Sequence, residues 1–95
     1  MRIVSKAAIT EFAREYSDAL EALMHWYLVT KRAQWKNLAD VRGDFPHADL
    51  VGIFTVFNVG GNKYRFISAM KYRWQIVYIR HVLTHRGYDN EKWKP

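Results

Sequence analysis

The side chains able to do chemistry are concentrated in three short segments of the second half of the chain. These segments are residues 62–65, 78–81 and 84–89, and they supply two histidines with several arginine, lysine and tyrosine side chains. Histidine exchanges protons near neutral pH, arginine and lysine bind phosphate, and tyrosine donates or accepts a proton. The segments therefore hold the groups needed for acid-base chemistry on a phosphate ester.

This set of side chains is suited to RNA cleavage that needs no metal. In that reaction the ribose 2′-OH loses a proton and attacks the neighbouring phosphate, charge builds on the phosphate oxygens, and the 5′-oxygen takes up a proton. DNA has no such internal nucleophile. Structural roles stay open for the same residues, because an arginine on an edge strand is commonly solvated and a C-terminal tyrosine commonly packs as a lid.

Strand alternation separates the members of this group. If residues 75–83 form a strand, Arg80 shares a face with Tyr78, whereas His81 and Leu83 occupy the opposite face. A bulge or the end of the strand would change this arrangement. We expect the strand to end near Thr84, which would free His85 from the sheet.

The charge and composition indicate one basic domain over residues 1–95. Apolar residues make up 49% of the chain, and the net charge is +6. Residues 1–47 carry a net charge of +1 and residues 48–95 a net charge of +5, so the second half holds the excess. A polyanion, either nucleic acid or an anionic membrane surface, is the expected class of partner.

The absence of cysteine excludes disulfides, thiolate metal sites and cysteine nucleophiles. The four histidines are dispersed, and we expect neither a metal nor a cofactor. With no signal peptide and no apolar stretch long enough to span a bilayer, the expected location is the cytoplasm, without a membrane partner.

Helical spacing governs the chain before Pro46. Ser5 is the expected N-cap of a helix over residues 6–16, and a second helix is expected from Asp18, with Glu21 as its capping-box partner, to Lys31 or Arg32. Residues 37–45 indicate a short helix or turn. The predicted buried stripe of the first helix is Ile9, Phe12, Ala13 and Tyr16, and that of the second is Leu20, Leu23, Met24, Tyr27 and Leu28.

Strand spacing governs the chain after Pro46. Residues 55–59 and 63–70 form an expected hairpin, and a loop at Gly61–Asn62 would place Asn58 opposite Arg65 and Phe57 opposite Phe66. Residues 75–83 give a third strand, and residues 2–4 a short strand at an edge. The predicted fold is α+β, with N-terminal helices packed on a small antiparallel sheet whose other face is partly open.

The tryptophans are candidates either for the core or for stacking on bases. Trp35 and Trp74 each follow or precede a basic residue, which makes them the better stacking candidates. With them, Lys36 and Arg73 are candidate RNA contacts.

Three motifs at fixed separations resemble the HigB family of bacterial toxins. They are FNxxGNKYR at residues 57–65, YIR at residues 78–80 and THxxYD at residues 84–89. Residues 2–5, 26–27, 35–36 and 45–49 also resemble that family in order and spacing. The resemblance covers nearly the whole chain.

The resemblance implies a RelE-like mRNA interferase that needs no metal and cleaves mRNA, typically on the translating ribosome. It also implies inhibition by a helix-turn-helix antitoxin of the HigA type, through which the complex would bind operator DNA. By position in the motifs, Arg65 matches the phosphate-binding arginine, and His85 and Tyr88 match the proton-transfer positions. Lys63 and Arg80 are further candidate RNA contacts.

Two other functions stay open on the sequence. One is a non-catalytic RNA- or protein-binding module of the same fold, in which the basic sheet only positions a partner. The other is a degenerate toxin that binds an antitoxin and has lost its activity.

Overall fold

The computed structural model describes residues 1–61 and 63–94 and has an α+β fold, as predicted. In chain order its strands and helices are β1 (Arg2–Val4), α1 (Ala7–Glu15), α2 (Leu20–Arg32), α3 (Leu38–Asp44), β2 (Asp49–Val51), β3 (Phe54–Val59), β4 (Tyr64–Lys71), β5 (Ile76–Thr84) and α4 (His85–Asp89). Single 3-10 turns, Ser17–Ala19 and Tyr72–Trp74, precede α2 and β5. Within the described ranges, no helix combines the length and apolar character that a bilayer crossing needs.

The strands form one sheet in the order β1-β5-β4-β3-β2. The β3–β4 and β4–β5 pairs are antiparallel, as predicted, and β2 adds an antiparallel pair with β3, but β1 lies parallel to β5 at the edge. The sheet is therefore mixed. Strand β2 was not predicted, because it has only three residues.

The β3–β4 hairpin has the predicted register. Asn58 lies opposite Arg65 and Phe57 opposite Phe66, so aromatic residues face one side together and polar residues the other. Gly60 and Gly61 both have positive φ, a conformation that glycine adopts without steric cost. Asn62, the second residue of the expected loop, lies outside the described residues.

The predicted N-cap of the first helix is wrong by one residue, and the third helix has a cap that was not predicted. The Ser5 hydroxyl accepts a hydrogen bond from the Ala7 N–H at 3.2 Å, but the N-cap of α1 is Lys6, whose side chain makes no capping bond. The Asn37 side chain accepts one from the Asp40 N–H at 2.9 Å, and α3 ends at Asp44, before Pro46. Each side chain satisfies a backbone donor that the helix itself leaves unpaired.

The buried stripe predicted for α2 is wrong in part. Leu23 is buried as expected, but Leu20 and Leu28 are 47% and 50% exposed, and Trp26 is buried instead. The Trp26 ring stacks on Phe66 with centroids 3.8 Å apart and meets Phe57 edge-on at 5.5 Å. The large indole therefore sets the rotation of the helix about its axis, since its contact area exceeds that of a leucine.

The capping box predicted at Asp18 is also wrong. Its carboxylate accepts a hydrogen bond from the Tyr64 hydroxyl at 2.6 Å and lies 3.5 Å from the Lys63 ammonium, and no side chain caps α2. The hydrogen bond with Tyr64 lowers the pKa of Asp18. The same bond is the main cause that raises the pKa of Tyr64 to about 12. Asp18 thus ties the start of α2 to the start of β4.

This bond predicts a pH window for stability. Tyr64→Phe is expected to lower the melting temperature by an amount that is largest between the ordinary pKa values of 3.8 for Asp18 and 10.0 for Tyr64. Below that window the contribution of Asp18 is lost as its carboxylate is protonated, and above it that of Tyr64 is lost as the pH rises through about 12. Thermal unfolding of both proteins across pH measures the difference, and a constant difference at all pH values would contradict the assignment.

The two faces of the sheet carry separate apolar clusters. The larger lies under α1, α2 and α3 and includes Trp26, Phe57 and Phe66. The smaller lies on the other face, where Trp93 of the C-terminal segment packs against Phe54. Aromatic residues after β5 thus cover part of the second face, a covering that the sequence analysis did not predict.

Candidate functional site

The chain turns sharply where β5 ends. As predicted, the strand stops at Thr84, whose hydroxyl accepts a hydrogen bond from the Gly87 N–H at 3.0 Å and so caps α4. The His85 N–H donates to the Lys63 carbonyl at 3.1 Å, which fastens the start of α4 to the start of β4. The turn releases the His85 side chain from the sheet and places α4 beside the strand that carries Arg65.

Arg65 is buried, with 8% of its surface exposed. The carbon at the centre of its guanidinium lies 5.4 Å from the centre of the Tyr88 ring, and its Nη1 donates to the Tyr64 carbonyl at 3.3 Å. A charge held in a poorly solvated position interacts more strongly with a phosphate than one in water. A phosphate that binds this guanidinium must pass beside the Tyr88 ring or displace it.

Trp93 holds Tyr88 in this position. The two rings stack with centroids 4.9 Å apart and an angle of 16° between their planes. The Trp93 indole N–H donates to the Tyr88 carbonyl at 2.8 Å, and the residue is only 7% exposed. Three side chains, Arg65, Tyr88 and Trp93, thus lie in one layered stack over the second face of the sheet.

Trp93→Ala is expected to open the C-terminal segment without unfolding the domain. Loss of the stack should expose Arg65 and speed backbone hydrogen exchange in residues 85–94, since local opening needs only the contacts of that segment to break. Trp26→Ala is the contrasting variant, because truncating a fully buried ring costs about 3–5 kcal/mol of global stability. Exchange by mass spectrometry distinguishes them, and unchanged exchange in residues 85–94 of Trp93→Ala would contradict the role of the stack.

His85 is oriented by a carboxylate of the same short helix. Its Nδ1 lies 2.9 Å from an Asp89 carboxylate oxygen, and both side chains are about half exposed. An Nδ1–H donated to a carboxylate leaves Nε2 as the nitrogen that exchanges a proton with a substrate. Asp89 was not predicted to have a role. Its spacing of four residues from His85 is a signal, but four residues place the two side chains together only when residues 85–89 are helical.

A bulge in β5 changes the predicted alternation. Ile67 pairs with His81 and Ser68 with Ile79, so Arg80 has no partner across the β4–β5 ladder. The extra residue returns His81 to the face that carries Tyr78, and the prediction that they lie on opposite faces is wrong. His81 lines a cavity of about 230 Å³ with Gly87 and Trp93, beneath the C-terminal segment.

The predicted secondary RNA contacts fall in different places. Arg80 is exposed, and its guanidinium carbon lies 5.6 Å from the centre of the Tyr78 ring. Lys63 is exposed beside the start of α4, with its ammonium near Asp18. Both lie on the strands that carry Arg65 and His81, or at their ends.

Trp35, Lys36 and Arg73 lie apart from this group. Arg73 belongs to the 3-10 turn between β4 and β5, at the opposite end of these strands from His85, and Lys36 lies near it. The stacking role predicted for Trp35 is wrong, because its ring is only 3% exposed, packs edge-on to Phe45, and donates its N–H to Asp44 at 2.9 Å. It is a core residue.

Comparison with known proteins assigns the chain to a class. The model of a family described as HigB_toxin, RelE-like toxic component of a toxin-antitoxin system, matches residues 19–91. The chain therefore belongs to this family, as its motifs predicted. The mRNA interferase HigB of Escherichia coli O6:H1, strain CFT073, is 32% identical over 92 residues, which cover 94% of this chain and 89% of that protein. The mRNA interferase toxin HigB of Escherichia coli K12 is 28% identical over 92 residues, covering 94% and 88%.

Proposed function

We propose that this chain is an endoribonuclease that cleaves mRNA and so inhibits translation and growth. The observation that carries the proposal is the joint placement, by one short helix, of the His85–Asp89 pair and of Tyr88 over Arg65. Proton transfer and phosphate binding, which the cleavage requires, are thereby supplied at one end of the sheet. The activity named for the relatives, mRNA interferase, agrees with this chemistry.

The reaction uses the RNA's own 2′-OH as nucleophile. A base removes its proton, the 2′-oxygen bonds to phosphorus, and the 5′-oxygen leaves with a proton, giving a 2′,3′-cyclic phosphate and a 5′-hydroxyl. His85 exchanges one of these protons through Nε2, Tyr88 supports the nucleophile or the leaving group, and Arg65 stabilises the charge on the phosphate oxygens.

His81 and the exposed cations complete the proposed site. Because the bulge returns His81 to the face of the site, it is available for the second proton transfer. Lys63 and Arg80 contact the RNA backbone on either side of the cleaved bond. Each such contact would release counterions and make binding dependent on salt.

The proposed partners follow from the family. A toxic component of a toxin-antitoxin system has an antitoxin as partner. We propose that this antitoxin is a helix-turn-helix protein of the HigA type. In the toxin-antitoxin complex, only the antitoxin binds operator DNA. The mRNA is attacked on the translating ribosome, in the bacterial cytoplasm.

Expression in a bacterial host without antitoxin tests the proposal. The wild-type chain is induced beside the double variant His85→Ala, Tyr88→Ala, and mRNA 5′ ends are mapped while growth is followed. New 5′ ends inside translated frames with the wild type alone would support an mRNA-cleaving toxin and its site together.

The same experiment separates the other functions. New ends in both strains would overturn the assignment of His85 and Tyr88. If neither strain gave new 5′ ends and the purified protein still bound RNA, the chain would be a binding module. If the chain neither cleaved nor bound RNA, it would be a degenerate toxin that binds only its antitoxin.

A further inference from the structure

A second basic surface lies at the far end of the β4–β5 hairpin. A groove of about 550 Å³ separates the end of α2 from the turn before β5. Four cationic side chains line it: Lys31, Arg32, Lys36 and Arg73. No aspartate or glutamate among the described residues lines this groove, so it presents a concentrated positive charge.

The cations of the groove are not neutralised by carboxylates, and the internal contacts of Lys31 and Arg73 are with the aromatic rings of Tyr27 and Trp74. Within the described ranges, none of the four cationic side chains forms a salt bridge. The carboxylate of Asp40 accepts a hydrogen bond from the Lys36 backbone N–H at 2.9 Å, so it serves α3 rather than the lysine ammonium. These cations are therefore available to an anionic ligand.

The carbonyls at the C-terminal end of α2 do not require the lysine and arginine side chains as hydrogen-bond donors. The N-terminal ammonium of Met1 donates to the carbonyls of Thr30, Lys31 and Ala33 at 3.1, 3.0 and 2.6 Å. It thus occupies carbonyls that a helix end leaves unpaired and that lysine or arginine side chains often satisfy. The Lys31 and Arg32 side chains, which line the groove, are therefore not required as caps of α2.

An exposed aromatic ring adjoins the groove. Trp74 is 64% exposed, and the guanidinium carbon of Arg73 lies 4.9 Å from the centre of its ring. The turn that carries it is fixed by Gln75, whose side-chain amide donates to the carbonyls of Trp35 and Tyr72 at 2.7 and 2.9 Å. A fixed, solvent-exposed indole beside cations is the arrangement on which nucleic-acid bases stack.

This surface is distinct from the candidate site of cleavage. The groove lies where Lys71 pairs with Ile76, whereas His85 follows the pair of Tyr64 with Thr84. At about 3.3 Å per residue, the length of β5 puts roughly 25 Å between the two ends. One phosphate cannot occupy both places.

We propose that the groove and Trp74 form a second RNA-binding surface, with phosphates in the groove and a base stacked on Trp74. The inference rests on the proposed action on RNA, and the bound RNA is the continuation of the strand that is cleaved. An acidic polypeptide would use the cations but has no need of an exposed indole, so the presence of Trp74 favours RNA.

Binding is measured in the His85→Ala background, so that the RNA stays intact, with one RNA of about six nucleotides and one of about 24. At about 3.4 Å per stacked nucleotide, only the longer strand spans both surfaces. Arg32→Glu and Lys36→Glu are each expected to weaken binding of the longer RNA about fivefold and to reduce its salt dependence. Arg14→Glu, the same charge change on the exposed side of α1, is the matched control.

Tryptophan fluorescence tests the stacking directly. The other tryptophans are at most 7% exposed, so quenching by acrylamide reports mainly on Trp74, and the longer RNA should protect it. Trp74→Phe removes the exposed fluorophore and should abolish the protected signal, and Trp74→Ala should weaken binding of the longer RNA by about 5- to 150-fold, the usual loss of one stacked aromatic.

Equal affinity of the groove variants and Arg14→Glu for the longer RNA would overturn the proposal. Protection of Trp74 by polyglutamate and not by RNA would assign the surface to an acidic polypeptide, and groove-dependent binding only to ribosomal subunits would refute the substrate strand as its ligand. Failure of the induced wild type to produce new mRNA 5′ ends in cells, with groove-dependent binding of the longer RNA intact, would reject the proposed function alone.

Discussion

His85→Ala is expected to lower the rate of RNA cleavage by about 10²- to 10⁴-fold while RNA binding persists, because the variant loses a proton-transfer group and no phosphate contact. The side chain is 51% exposed and belongs to a helix of five residues, so its removal leaves the core intact. Single-turnover cleavage of a defined mRNA on translating ribosomes, with the purified protein added, measures the effect, and thermal unfolding verifies that the fold is retained.

Two further variants locate the effect within the site. Asp89→Asn keeps a hydrogen-bond acceptor beside His85 but removes its charge, so a smaller loss of rate is expected than for His85→Ala. His81→Asn tests the second proton-transfer group. If His85→Ala cleaved at the wild-type rate and His81→Asn did not, the role assigned to His85 would belong to His81.

Arg65→Met is expected to lower the cleavage rate by about 10²- to 10³-fold, the usual effect of removing a group that stabilises charge in the transition state. Methionine is preferred to alanine here because Arg65 is buried beneath Tyr88, and an unbranched apolar side chain fills that space without leaving a cavity. The measurement is again single-turnover cleavage, with hydrogen exchange of residues 85–94 as the test of an undisturbed C-terminal segment.

A matched variant separates this effect from general loss of charge. Arg86→Met makes the same chemical change on the exposed surface of α4, and only a small, salt-dependent loss is expected. Arg65→Lys keeps the charge but not the planar fork, so an intermediate rate is expected. Equal losses for Arg65→Met and Arg86→Met would show that Arg65 has no specific role.

The hairpin was predictable because its pairing is decided by local chemistry. Glycines at positions 60 and 61 mark the turn, and placing aromatic opposite aromatic leaves a single register, with Phe57 opposite Phe66. The end of β5 at Thr84 was predictable for a similar reason. In both cases the residues that specify the structure are neighbours in sequence or across one strand pair.

The wrong predictions concern side chains whose positions are determined by residues far away in the sequence. Leu20 and Leu28 are exposed because the stacking of Trp26 on Phe66 fixes the rotation of α2. The spacing of apolar residues within α2 carries no information about this contact, since Phe66 belongs to β4. Asp18 is drawn from its predicted cap by Tyr64, 46 residues away. Side-chain partners at such separations have no local signature.

The candidate site was predictable in its members but not in its geometry. Motifs singled out Arg65, His85 and Tyr88, and the structure places Tyr88 over Arg65 and all three at one end of the sheet. The pairing with Asp89 depends on helix α4, and the covering of the site by Trp93 depends on docking of the C-terminal segment, neither of which the sequence pattern specified.

The bulge at Arg80 determines which length changes the site can tolerate. Side chains of a strand alternate with a period of two, so the unpaired residue is what allows both Tyr78 and His81 to lie on the second face of the sheet. Deleting Arg80 would restore a regular ladder and leave both side chains on that face, because Ile79 and His81 would then follow each other opposite Ser68 and Ile67. Pairing Arg80 within a regular ladder would instead place Tyr78 and His81 on opposite faces. The working arrangement therefore requires that the residue at position 80 be bulged out or absent, whatever its type.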